Sequence, residues 1–166
     1  MKLIVMGHAR HGKDTVSEIL CSLLDLSFKS SSEILNEEVV FPALKAKYGY
    51  ANHEECFLDR VNHREEWFNL LVEYNTPDPA RLGKLIFASY DIYCGLRNRD
   101  ELIAIKNTCD IDHILWVERP GVAEEPETSC TVTREDADYI IYNDGDLQEL
   151  QDNLEWLVAT RKWDLG

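Results

Sequence analysis

Nine consecutive residues, Gly7-His8-Ala9-Arg10-His11-Gly12-Lys13-Asp14-Thr15, have the types and spacing to hold a polyphosphate. Gly7, Gly12 and Lys13 fit the G-x-x-x-x-G-K-[ST] pattern of a phosphate loop. The glycines let the backbone curl until several N–H groups face one anion. A helix beginning at the end of the loop adds partial positive charge toward the same point. Lys13 supplies a full charge to the β- and γ-phosphates, and His8, Arg10 and His11 make the loop more cationic than most. The expected ligands are ATP, contacted by the loop from Gly7 to Thr15, and Mg2+. Asp14 stands where the pattern has the Ser or Thr that touches the metal, and Thr15 follows it. Two readings are open. Asp14, with Thr15, reaches magnesium or acts as a base toward the acceptor. Alternatively Asp14 is a first-turn acid complementing the helix dipole.

The elements that must position this loop alternate between strand and helix, the pattern of a parallel α/β sheet. Leu3-Ile4-Val5-Met6 reads as a buried strand feeding the loop, and Asp14–Leu24 as the helix after it, with a stripe of Val16, Ile19, Leu20, Leu23 and Leu24. A second strand is expected over 26–29, then a helix led by Ser30-Ser31-Ser32 and interrupted near Pro42. One long helix is expected over 53–74 and another over 80–89. The third strand is expected over 90–94, ended by Gly95, with a helix over 99–106. A fourth strand covers 114–117, a loop with Pro120, Gly121 and Pro126 runs to about 134, a fifth strand covers 139–142, and a last helix spans 147–160. The fold class predicted is an α/β P-loop NTPase: a five-stranded parallel sheet flanked by helices, in one domain; the family resemblance given below implies the nucleotide-kinase type, with a lid-like loop at about 119–134.

Open parallel sheets bind ligands at the C-terminal ends of their strands, so acceptor candidates are sought there. Asp91, Arg97 and Arg99 are placed near that rim by the third strand, and Ser30, Ser31, Ser32 and Glu33 by the second. Asp91 and Glu33 are candidate catalytic acids, and Arg97 is a candidate both to stabilise the moving phosphoryl group and to bind the acceptor. Arg60 and Arg64, four apart, share one face of the long helix and are candidates to clamp an acceptor phosphate; a solvated face with local ion pairs is the alternative. Arg119 opens the lid and is a candidate to cover the ATP phosphates.

Composition limits the choices. The net charge is −14, and 13 of the 31 acids but only four of the 17 bases lie from Glu118 onward. That argues against duplex DNA wrapped on a broad basic face, though not against a small basic pocket. No run approaches a membrane span, and the apolar N-terminal run is too short for a signal peptide. A cytoplasmic protein is expected, or one working in a host cytoplasm if phage-encoded. The five cysteines, an odd number without C-x-x-C spacing, read as reduced thiols.

The Gly-Lys-Asp-Thr ending resembles bacteriophage deoxynucleoside monophosphate kinases. Residues 114–121 and 137–150 resemble that family's fourth strand, lid and last strand-turn-helix. The wider set of Gly-His-Ala-Arg-His-Gly-Lys-Asp-Thr, Ser-Phe-Lys-Ser-Ser-Ser, Lys-Tyr-Gly-Tyr and Asp91-Ile92-Tyr93-Cys94-Gly95-Leu96-Arg97-Asn98 is closer to the phage 5-hydroxymethyluracil DNA kinases, which are thymidylate-kinase-like. This resemblance implies ATP-dependent phosphorylation of the base hydroxymethyl group within DNA, with a free deoxynucleotide as the rival acceptor and a non-catalytic nucleotide-binding protein as a third reading. Many relatives carry Asp-x-Arg after the third strand. Here Gly95-Leu96-Arg97 keeps the arginine and lacks the acid, so a required carboxylate must come from Asp14, Glu33 or Asp91.

Overall fold

Leu3–Met6, with all four side chains buried, forms strand β1 at the centre of the sheet. The computed structural model describes residues 1–163. In chain order the elements are β1, α1 (Lys13–Leu24), β2 (Phe28–Ser30), α2 (Ser31–Leu35), a π-helical turn (Asn36–Val40), α3 (Phe41–Tyr48), α4 (His53–Asp59), a 3-10 turn (Arg60–Asn62), α5 (Arg64–Asn75), α6 (Arg81–Phe87), β3 (Ile92–Leu96), α7 (Arg99–Thr108), β4 (His113–Glu118), a 3-10 turn (Arg134–Asp136), β5 (Tyr139–Tyr142) and α8 (Leu147–Arg161). The five strands are ordered β2-β3-β1-β4-β5, and every pairing is parallel.

Period-two alternation splits the core between the two faces of β1. Leu3 and Val5 pack with Val16 and Leu20 of α1 and with Leu150, Leu154 and Leu157 of α8. Ile4 and Met6 pack with Leu82 and Ile86 of α6 and with Leu102 and Ile105 of α7. Each such side chain, fully buried, contributes about 1.5–3 kcal/mol. Because all strands run the same way, Gly7, Ser31, Arg97, Arg119 and Asn143 leave the sheet on one rim.

Three local expectations are corrected. Gly95 does not end β3. It is a bulge with φ +100°, skipped in the register, which runs Val5 to Cys94 and then Met6 to Leu96. The strand starts at Ile92, so Asp91 precedes it on the opposite rim, where its carboxylate accepts from Ser27 N–H at 2.9 Å and Ser27 Oγ–H at 2.7 Å. Asp91 is a strand-entry clamp, far from the loop it was expected to serve. The long helix expected over 53–74 breaks after Asp59, whose carboxylate is bonded to Tyr50 OH at 2.6 Å, Asn62 Nδ2 at 2.6 Å and His63 Nε2 at 3.0 Å. These side-chain bonds compete with the helical ladder, and His63 leaves it with φ −129°. Arg60 and Arg64 therefore lie on different elements. The Pro42 interruption takes the form of a π turn: the Phe41 N–H reaches back five residues to Asn36 O, and the proline sits in the first turn of α3, where its missing N–H costs little.

Glu101 of α7 is 5% exposed and accepts from Tyr93 OH at 2.7 Å. Burial pushes its carboxyl up to about 7, against hydrogen bonds from Tyr93 and Asn75 that pull the other way. With the folded value above the unfolded one, the unfolded chain releases this proton first, so stability falls as pH rises from about 4.5 to about 7. Glu101→Gln keeps an acceptor for Tyr93 and removes the charge. We expect the variant to be more stable than the parent at pH 8, by up to about 3 kcal/mol, and the two to converge at pH 4.5, as read by urea unfolding. Parallel pH profiles would exclude this origin.

Among the described residues no helix is long and apolar enough to cross a membrane, and the five cysteines are free.

Candidate active site

The loop between β1 and α1 is built as a cradle. Gly7 has φ +142° and Gly12 φ +94°. A Cβ on Gly7 would fall on the Val117 carbonyl oxygen of β4, and one on Gly12 on the Asn143 side-chain amide, so neither site has space for a side chain. Arg10, exposed, supplies the remaining left-handed turn with φ 64°. Asn143, leaving β5, donates from Nδ2 to His11 O at 3.0 Å and from its backbone N–H to Glu118 O at 2.8 Å. Lys13 begins α1, and its Nζ turns back into the loop to donate to His8 O at 2.6 Å. Burial, then the neighbouring Arg97 charge, push the Lys13 ammonium below its usual range, while Glu125 and Asp14 pull it up. A half-buried ammonium with no salt-bridge partner among the described residues is placed to gain from an arriving polyanion.

Asp14 is exposed at the loop's edge. Its Oδ1 accepts from the Cys94 thiol at 3.3 Å; burial pushes that thiol up to about 12, which keeps it a donor. Thr15 is partly buried one residue further along α1. Asp14 and Thr15 offer hard oxygen donors beside the cradle, the chemistry Mg2+ takes, and the second Asp14 oxygen accepts no hydrogen bond among the described residues.

The acceptor side lies across the rim. Arg97 leaves β3 just past the Gly95 bulge, where Ser31 Oγ closes over the glycine. Arg60 donates to Ser32 Oγ at 3.1 Å, and Ser32 and Ser30 hydroxyls are 2.9 Å apart. Burial, then the Arg97 and Arg64 charges, push the Arg60 guanidinium down, with Asp14 and Glu33 opposing. Three arginines and two acids thus share one field, although Arg60 and Arg64 come from separate elements.

Other placements differ from expectation. The exposed Arg119 side chain makes no hydrogen bond among the described residues; its backbone N–H, donating to His11 Nδ1 at 3.1 Å, is what touches the loop. Arg99 is tied to Asp136 at 2.7 Å and serves structure. The loop expected to be a lid over 119–134 is anchored at its far end, where Cys130 and Val132 are buried and the Thr131 N–H donates to Arg97 O at 2.8 Å. Its middle carries a contact that sequence reasoning missed. Glu125 Oε2 accepts from the Ala9 N–H at 2.8 Å, Oε1 accepts from Arg97 Nη1 at 2.6 Å, and the Glu125 N–H donates to His8 Nδ1 at 3.1 Å. Asn143 was also missed as a loop support. No spacing rule marks either residue, because each reaches the loop across more than 110 positions of chain.

No family model matches the chain, and no curated protein matches it in sequence. Among solved structures it is similar to shikimate kinase from Aquifex aeolicus, at 14% identity and TM-score 0.54 over 99% of each chain. A sugar kinase from a Janibacter species aligns at 16% identity and TM-score 0.48, over 94% of this chain and 93% of the other. The likeness to shikimate kinase, with the all-parallel sheet and the glycine-rich loop, identifies the architecture as the α/β P-loop NTPase fold.

Proposed function

We propose that this chain is a P-loop phosphotransferase that takes the γ-phosphate of ATP and passes it to the 5-hydroxymethyl group of 5-hydroxymethyl-deoxyuridine in DNA. The observation that carries the phosphotransferase reading is the carboxylate bound simultaneously by the Ala9 amide and Arg97. It marks the space between loop and rim as one that attracts anions from both sides. A transferring phosphoryl group needs donors in just that relation.

In this reading the amides of Gly7 to Gly12 and the Lys13 ammonium hold the β- and γ-phosphates, and the start of α1 adds its dipole. Asp14, with Thr15, would hold Mg2+, which when bound neutralises charge on the phosphate oxygens. Arg97 meets the equatorial oxygens of the group in transit. Arg60 and Arg64 hold a phosphate of the acceptor, and Ser30, Ser31, Ser32 and Glu33 line its approach. With Asp91 on the opposite rim and Glu125 engaged by Ala9 and Arg97, Asp14 and Glu33 are the carboxylates we assign to the acceptor hydroxyl.

The DNA acceptor is favoured over a free nucleotide by the sequence motifs and by the surface beside Arg60 and Arg64. Leu58, Val61, Phe68 and Val72 are 69%, 59%, 57% and 49% exposed on α4, α5 and the turn between them. Phe68 lies one turn from Arg64 on α5. A strand with bases splayed out can stack on such side chains while its backbone meets the arginines. Given labelled ATP, the protein is expected to label hydroxymethyluracil-containing oligonucleotides and leave thymine oligonucleotides unlabelled. Label found only on free deoxynucleoside monophosphates would replace this acceptor with the rival one.

A further inference from the structure

We propose that Glu125 is a built-in phosphate mimic whose displacement couples the two halves of the site, so that nucleotide and anionic acceptor each promote the binding of the other. The proposal rests on the P-loop reading above and adds a regulation to it.

Glu125 is the acid that the rest of its segment does not explain. Its neighbours Glu124 and Glu127 are exposed, whereas its own side chain is 16% exposed. One oxygen takes an amide of the cradle, and the other takes the rim arginine. A carboxylate bridging an inward-facing N–H and a guanidinium copies two oxygens of a phosphate group. The Lys13 ammonium is in the same field and is pulled up by this charge. The segment is fixed at both ends, by the Arg119 N–H on His11 and by the Thr131 and Val132 N–H groups on Arg97 O. It can therefore release its middle without leaving the protein.

A triphosphate in the cradle needs the Ala9 N–H that Glu125 holds, and its charge repels the carboxylate. Nucleotide binding accordingly expels Glu125, which leaves Arg97, with a side chain 44% exposed, without its partner and open to an anionic acceptor. The reverse also holds: an acceptor that takes Arg97 from Glu125 loosens the contact with Ala9 and clears the cradle. Linkage requires the two effects to be equal in size. The closed form lowers apparent affinity for either ligand by the fraction of molecules it occupies.

The test is binding of a non-hydrolysable ATP analogue with Mg2+, by calorimetry, to the wild type, Glu125→Ala, Glu125→Gln and the surface control Glu127→Ala. It is run in buffer stripped of transition metals, because His8, Glu125 and Cys130 bring ligand atoms within 4.8 Å of one another. We expect Glu125→Ala to bind the analogue on the order of 10-fold more tightly than wild type, Glu125→Gln to fall between them, and Glu127→Ala to match wild type. Adding a hydroxymethyluracil oligonucleotide or a deoxynucleoside monophosphate, whichever binds, should tighten the analogue on wild type and leave it unchanged on Glu125→Ala. Equal affinity of wild type and both Glu125 variants overturns the proposal, as does an equal gain from Glu127→Ala, which would be a general charge effect. Absence of nucleotide binding by every variant would overturn the phosphotransferase reading itself.

Discussion

Lys13→Ala is expected to lower phosphoryl transfer by about 10³-fold or more, which corresponds to about 4 kcal/mol of lost transition-state stabilisation. The Lys13 Nζ lies within the curl of the loop, 2.6 Å from the His8 carbonyl oxygen, and burial holds the ammonium below its usual range. Removing it takes away the one full positive charge that the loop's backbone holds in place. The charge developing on the equatorial oxygens would then lose its nearest ammonium and be met by neutral amides, by Mg2+ when bound, and by Arg97 across the rim. ATP affinity should fall as well, because the same ammonium attracts the ground-state phosphates. The fold should persist: the side chain makes a single hydrogen bond, and the contacts that close the loop run through Asn143 and the Gly12 backbone. A thermal melt close to that of wild type, together with collapsed transfer, is the expected pair of results. Transfer and ATP affinity both within a few-fold of wild type would mean that the loop binds no phosphate. Lys13→Arg should not restore activity, since a planar guanidinium replaces a compact point charge in a confined curl.

That the loop would be a cradle was legible because every part of it is local. Two glycines at fixed spacing, an apolar strand before them and an amphipathic helix after them are short-range signals, and the strand-turn-helix appears as read. What was not legible was set at long range. Gly95 looks like a strand terminator in one dimension; only the neighbouring β1 register makes it a bulge. Asp91, just before the N-terminal start of β3, lies on the rim opposite the loop, where it meets Ser27. The helix break that separates Arg60 from Arg64 depends on Asp59 collecting Tyr50, Asn62 and His63, a network that helical spacing cannot reveal. Arg97 was found through its place after β3 and through a family likeness, and it does face the loop. Glu125 stands in an acidic stretch, and nothing local separates it from the exposed Glu124 and Glu127. Its partners, Ala9 and Arg97, follow the first and third strands, so no property of residues 119–134 alone could indicate it.

Asp14 is the position where the sequence departs from the usual motif, and its replacement separates the readings left open for it. Asp14→Asn is expected to lower transfer by about 10²-fold while the fold and the analogue affinity measured without Mg2+ stay near wild type. The geometry motivates a loss of this size. The carboxylate sits between the Lys13 cradle and the Arg60–Arg97 rim, held by the Cys94 thiol at one oxygen with the other unbonded among the described residues. A residue that only complemented the dipole of α1 would be worth about 0.3–1 kcal/mol, a five-fold effect at most, and an exposed one less. Asp14→Ser then tells metal contact from proton transfer. Serine restores the oxygen that the common motif offers to magnesium but cannot take a proton at neutral pH. We expect it to recover most of the activity that Asn loses and to shift the Mg2+ concentration needed for half-maximal rate. If serine is as inactive as asparagine, and the rate of the wild type rises with pH along a carboxylate titration, Asp14 is the base. If asparagine retains more than a third of the wild-type rate, Asp14 does neither, and Glu33 becomes the next candidate for that role.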